Sequence, residues 1–155
     1  ALVDANTKTA ISTWAWAHDE KTLDAGGCDP DGCTSELTLD SDTHPSSRWS
    51  CKYDLANKPC RLFYSFDSPQ DIVTLDLAFF KGDERTRTFF VKTYNAHRDY
   101  PGTSAVFTSS GSTLGYESFE LGTNQTRYMY LAPSAAGDNH KDWISITETR
   151  FMVEE

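Results

Sequence analysis

Ile72-Val73-Thr74-Leu75-Asp76-Leu77-Ala78-Phe79-Phe80 alternates along its length, with Val73, Leu75, Leu77 and Phe79 on one side and Thr74, Asp76 and Ala78 on the other. A period of two over that length marks a strand with one face in a core. Lys81-Gly82-Asp83-Glu84-Arg85-Thr86-Arg87 follows, a polar stretch carrying a glycine, and then 88–94 resumes a strand pattern. Two apolar strands joined by a charged turn therefore sit at the centre of the chain. By alternation Lys81 extends the Phe79 face, and Arg87 extends the face of Phe89 and Val91.

The same short alternation recurs on both sides, at 11–17, 61–66, 104–108, 117–121, 127–131 and 143–153. Gly, Pro, Asn or Asp clusters separate most of these runs, and none reads as a helix. Eight or nine short strands without helices predict an all-β chain. The expected architecture is one antiparallel β-sandwich jelly roll over residues 1–155. Trp14 and Trp16 share a face of the first long strand and are expected in the core, with a sugar-stacking platform as the competing reading. The segment 19–47 is the exception, polar and long enough to be a functional or metal-ordered loop.

Composition limits the function. The chain has 155 residues, 38% hydrophobic and 13% aromatic, with 14 Lys and Arg against 23 Asp and Glu for a net charge of −9. That balance argues against a nucleic-acid partner, which needs a broad basic surface. No apolar run is long enough for a membrane-spanning helix. Against this acidic background the interval 81–98 is inverted: Lys81, Arg85, Arg87, Lys92 and Arg98 stand against only Asp83 and Glu84. Cations gathered at a sandwich tip can grip a carboxylate, Arg through a planar fork and Lys as a point charge. An ordinary charged hairpin is the competing reading.

Cys28 and Cys33 enclose Asp-Pro-Asp-Gly, and Cys51 and Cys60 enclose eight residues. An even cysteine count in such a chain predicts disulfides over zinc, paired locally as Cys28–Cys33 and Cys51–Cys60. Disulfides, with the acceptor sequence Asn124-Gln125-Thr126, predict a secreted, extracellular protein whose leader precedes Ala1. Closely spaced Asp40 and Asp42 offer hard oxygen ligands suited to Ca²⁺, with a solvated acidic turn as the alternative. Motifs for a nucleophile elbow, a zinc protease, a phosphate loop or a dinucleotide site do not occur in the sequence. The four histidines, His18, His44, His97 and His140, fall in unrelated loops.

His18-Asp19, Leu39-Asp40-Ser41-Asp42 with Arg48-Trp49-Ser50, the run 72–80 leading into Lys81-Gly82-Asp83-Glu84-Arg85-Thr86, and Trp143-Ile144-Ser145-Ile146-Thr147-Glu148 together resemble discoidin-like carbohydrate-binding modules. The Lys-Gly-Asp-Glu-Arg piece pulls towards modules attached to polysaccharide lyases of the alginate-lyase kind. The resemblance implies an eight-to-ten-stranded jelly roll with a structural Ca²⁺ ion, for which Asp40, Asp42, Ser47 and Glu148 are the candidate ligands. It places the 81–87 loop beside the loop before Trp143, so that Lys81, Arg85 and Arg87, with Asn139 and His140, become the candidate ligand-binding residues. It also gives Trp49 and Trp143 packing roles. The spacing between Asp42 and Arg48 is two residues longer than usual, and the cysteines lie outside the family pattern.

The function expected on these grounds is non-catalytic binding of an acidic, uronic-acid polysaccharide such as alginate, by a monomer. A neutral-sugar (galactose-type) lectin and a small jelly-roll polysaccharide lyase are the alternatives.

Overall fold

The computed structural model describes residues 1–17, 34–56, 59–95, 101–135 and 143–155. Among these residues ten strands run in the order β1 (Leu2–Asp4), β2 (Ile11–Ala17), β3 (Trp49–Lys52), β4 (Cys60–Gln70), β5 (Ile72–Phe79), β6 (Thr88–Asn95), β7 (Pro101–Thr108), β8 (Tyr116–Glu120), β9 (Thr126–Pro133) and β10 (Trp143–Glu154). Two short 3-10 turns, Ala5–Thr7 and Ser35–Leu39, are the helical pieces among the described residues.

The strands form two antiparallel five-stranded sheets, a β-sandwich of the jelly-roll kind. The first is ordered β1-β10-β5-β8, with β3 also on β10, and the second β2-β4-β9-β6-β7. The twelve-residue β10 organises the first sheet. Ile146 pairs with both Trp49 and Phe79, and Met152 with both Asp4 and Thr74, so β3 and β1 share one edge of β10 and β5 occupies the other. The strands expected from alternation are present, most of them longer than their patterns. The short β1 and β3 carry too little alternation to be read from sequence.

The core is aromatic. Phe151 of the first sheet makes edge-on contacts with Tyr64 and Phe66 of the second, at centroid distances of 4.8 and 5.0 Å. Phe89 does the same to Phe119 at 5.0 Å. Edge-to-face packing aligns ring edges with ring faces and adds to the gain from burial. A polar bridge crosses this core: the Tyr64 hydroxyl hydrogen-bonds with Thr38 and Thr149 at 2.7 and 2.9 Å. It fastens the Ser35–Leu39 turn onto both sheets. The Cys51–Cys60 disulfide joins β3 of one sheet to β4 of the other, as the local pairing expected. Cys28 and Cys33 lie outside the described residues.

Two expectations are corrected. In β5, Asp76 and Ala78 are buried along with Leu75, Leu77 and Phe79. Asp76 is covered because it accepts from Thr74 and Ser118 and pairs with Arg150 at 3.5 Å. A register shift opposite Ile72 buries that residue in place of Val73. Trp14 and Trp16 are not in the core: they are 44% and 47% exposed on the outer face of the edge strand β2. The inward positions of β2 are Ile11 and the smaller Thr13 and Ala15. Period two assigns residues to a common face but does not say which face meets the core.

Candidate functional site

The β5–β6 connection is a shaped loop. Gly82 N–H donates to Phe79 O, and both Glu84 and Arg85 N–H donate to Lys81 O at 2.9 Å. Gly82 is required there, because a Cβ would stand 2.5 Å from the Thr113 carbonyl oxygen. Lys81 lies in the left-handed region at φ 52, which turns the chain out of the strand. Its alternation with Phe79 is broken for that reason, and the side chain is exposed.

The loop gathers cations on one ring. Arg48, Arg85 and Lys81 stand 4.0, 5.2 and 5.7 Å from the centroid of Phe80. The ring is held in place by Phe80 N–H, which donates to Ser145 O of β10 at 3.1 Å. Arg48 is fixed from behind: Nε donates to Ser50 Oγ and Nη1 to Pro45 O, at 3.0 and 2.7 Å. Its burial pulls its pKa down from the usual value. Sequence reasoning singled out Lys81 and Arg85, but missed Arg48 and Phe80, which enter from a distant loop and from the end of β5.

Arg87 has a different setting. It is only 4% exposed, with Nε donating to Trp143 O at 2.5 Å and Nη1 to Thr86 O at 2.6 Å. It continues the Phe89 and Val91 face, as alternation indicated, and ties the loop to the start of β10. The basic loop and the first residue of β10 are thereby neighbours. Asn139 and His140 lie outside the described residues, as do His18 and His97.

At the other candidate centre, Asp40, Ser47 and Glu148 converge from the Ser35–Leu39 turn, the loop after it and β10. Ser47 Oγ donates to Asp40 Oδ2. Asp42 N–H donates to Asp40 Oδ1 at 2.9 Å, and Ser41 N–H to Glu148 Oε2 at 3.1 Å. Asp42 turns its own carboxylate to the His44 N–H at 2.9 Å, shaping the exposed turn. Glu148 is 3% exposed and its Oε1 is buried with no hydrogen-bond partner. Burial, with the Asp40 carboxyl adding to it against the Ser41 N–H, raises Glu148 to about 9. Glu148 faces a polar depression of about 110 Å³ shared with Asp4, Asn6 and Ser41. An orphaned carboxylate oxygen among further oxygen donors fits a hard cation. Among the described residues no cluster of three or more His, Cys, Asp or Glu forms a metal-binding group, so backbone carbonyls would have to complete a coordination sphere.

The outer face of the second sheet holds a further set of rings. Trp14 stacks on Phe63 with centroids 5.3 Å apart and planes within 4°. Phe63 meets Tyr130 at 5.5 Å, and Arg61 lies 5.0 Å from the centroid of Tyr130.

No protein-family model matches the chain, and no curated protein does. Solved structures do. The CBM32 module of AlyQ, in complex with 4,5-unsaturated mannuronic acid, aligns with a TM-score of 0.65 at 24% identity, over 92% of each chain. A truncated AlyQ containing CBM32 and alginate lyase domains aligns at 21% identity and TM-score 0.65; 95% of this chain is covered, but it spans only 35% of that longer one. A pectin-binding carbohydrate-binding module aligns with a TM-score of 0.69 at 17% identity, over 92% of this chain and 91% of that one. The chain has the discoidin-like fold of these modules.

Proposed function

We propose that this chain is a non-catalytic, extracellular module that binds an acidic polysaccharide of the uronic-acid class, such as alginate, at its β5–β6 loop. The observation that carries the reading is the convergence of Arg48, Lys81 and Arg85 on Phe80, in a chain of net charge −9. Exposed charges are screened beyond about 8–10 Å, so acids elsewhere do not cancel a local cationic cluster. Arg85 brings a planar guanidinium whose geometry matches a carboxylate, and the exposed Lys81 supplies a second charge. Arg87 holds the loop against β10. Support also comes from fold neighbours, one solved with 4,5-unsaturated mannuronic acid and another named as pectin-binding.

A structural calcium ion at Asp40, Ser47 and Glu148, with Asp42 shaping the loop, belongs to the same proposal. Its role is to order the 40–48 loop that leads into Arg48. The ion would neutralise two carboxyl groups that otherwise oppose one another.

Calorimetric titration with alginate oligosaccharides tests the reading, run at low and raised salt beside a neutral oligosaccharide of equal length. Binding that prefers the charged ligand, weakens with salt and falls in Arg85→Ala is expected. Equal affinity for the neutral ligand without salt dependence would favour a neutral-sugar lectin. Appearance of unsaturated uronate product would favour a lyase.

A further inference from the structure

The outer face of the β2-β4-β9-β6-β7 sheet departs from what a sandwich normally turns to water. Cross-strand pairing sets Trp14 beside Phe63, Phe63 beside Tyr130, and Tyr130 beside Lys92, forming one continuous row across four strands. The flanking rows pair Trp16 with Arg61 and Tyr128 with Tyr94. Between Ser12 and Trp16, Arg61 and Ser65, Tyr128 and Ala132, and Phe90 and Tyr94, no outward position carries a carboxylate. In a chain with 23 acidic residues, that leaves these rows of the face aromatic and cationic, with Arg61 and Lys92 among the rings. The first sheet differs: there Asp76 and Arg150 neutralise each other.

The rings also shape the surface. The Trp14–Phe63 stack is a partition with a depression on each side. One, of about 350 Å³, is bounded by Tyr94, Tyr128 and Tyr130; the other, of about 450 Å³, by Trp16, Pro59 and Arg61. Two adjoining hollows, separated by a shared aromatic wall and one of them lined by Arg61, suit consecutive rings of an extended chain better than a flat protein partner.

We infer that this face is a second binding surface, distinct from the β5–β6 loop, for an extended acidic glycan. Its sugar rings sit against Trp14, Phe63 and Tyr130, and its carboxylates reach Arg61 and Lys92. The commitment to an acidic glycan rests on charge complementarity: Arg61 and Lys92 lie among the rings, and among the described residues of these rows there is no outward carboxylate, the nearest along β4 being the exposed Asp67 beyond Ser65. For its ligand class the inference shares the uronate reading, but it does not depend on the loop being a site. A chain engaging both surfaces would bind more tightly than to either alone, provided it is long enough to span them.

The test compares wild type, Trp14→Ala, Arg61→Gln and Arg85→Ala against an alginate hexasaccharide and long-chain alginate, with melting temperature measured for each. Tryptophan fluorescence in a Trp143→Phe background reports on this face, because Trp14 and Trp16 are exposed and Trp49 is fully buried, whereas the half-buried Trp143 lies beside the β5–β6 loop. The expected result is that Trp14→Ala and Arg61→Gln each weaken long-chain binding by about three- to tenfold at unchanged fold, while Arg85→Ala retains the fluorescence response. Arg61→Gln keeps every ring and so stands in if Trp14→Ala perturbs β2. Loss of binding in Arg85→Ala alone, with neither sheet variant affected, overturns the inference and leaves the loop reading intact. Loss in the sheet variants alone supports it and removes the loop reading. Equal binding of a neutral glucan hexasaccharide, tighter binding of a single-stranded deoxythymidine oligomer, or self-association abolished by Trp14→Ala would each overturn it.

Discussion

Ser41 donates its backbone N–H to Glu148 Oε2 across 107 residues of sequence, and so brings a surface turn onto the central strand of the first sheet. The other oxygen of that carboxylate is buried without a partner. A carboxyl group in this setting is costly to ionise until something positive arrives.

Calcium should therefore raise the melting temperature, and chelation should lower it. Saturation at a hundred times the dissociation constant stabilises by about 2.7 kcal/mol, or about 5–10 °C in a domain of this size. Thermal scans with calcium and with EDTA check this. Glu148→Gln should abolish most of the difference, and an unchanged melt would remove the ion from the proposal.

The same group sets a pH dependence for the metal-free protein. Its folded value of about 9 lies above the ordinary 4.5. Between those values the native state keeps a proton that the unfolded chain has released. Stability then falls as pH rises from about 4.5 to about 9, and the loss levels off above that window. Melting temperatures of wild type minus Glu148→Gln, measured in EDTA across that range, should trace this decline. Bound calcium replaces the proton and should flatten the curve.

Arg85 and Arg87 should part company on mutation. Arg85→Ala is expected to weaken alginate oligosaccharide binding about five- to a hundredfold with little change in melting temperature, since a charge-assisted contact contributes about 1–3 kcal/mol. Arg87→Ala removes a 4% exposed side chain and leaves the Trp143 and Thr86 carbonyls without their donor. It should destabilise the fold by about 2–4 kcal/mol, read by urea unfolding.

Peptide mapping without reduction should recover Cys51 linked to Cys60. Cys60→Ser with Cys51→Ser is expected to cost about 2–3 kcal/mol, the chain-entropy value for a loop of this size. A loss well below that would show that packing at β3 and β4 already holds the two sheets together there.

What the sequence determined by itself was the class of fold and its charge anomaly. Alternation in 72–80 and its neighbours dictated strands, because a strand's side chains repeat every two residues and nearest-neighbour burial enforces the repeat. The inverted charge of 81–98 was equally legible, since it depends on composition alone. Asp40, Ser47 and Glu148 could be named from family resemblance, yet only folding shows Glu148 Oε1 sealed beside the Asp40 turn.

Three features waited for the tertiary structure. Arg48 reaches Phe80 from a loop 32 positions earlier, a contact that no local pattern encodes. Arg87 and Arg85, alike in sequence, diverge because one continues the buried face of β6 and the other rides on the turn before it. Trp14 and Trp16 were expected inside and stand outside. A two-residue period says that they share a face, and only the packing of the second sheet on the first decides which face of β2 is left to solvent.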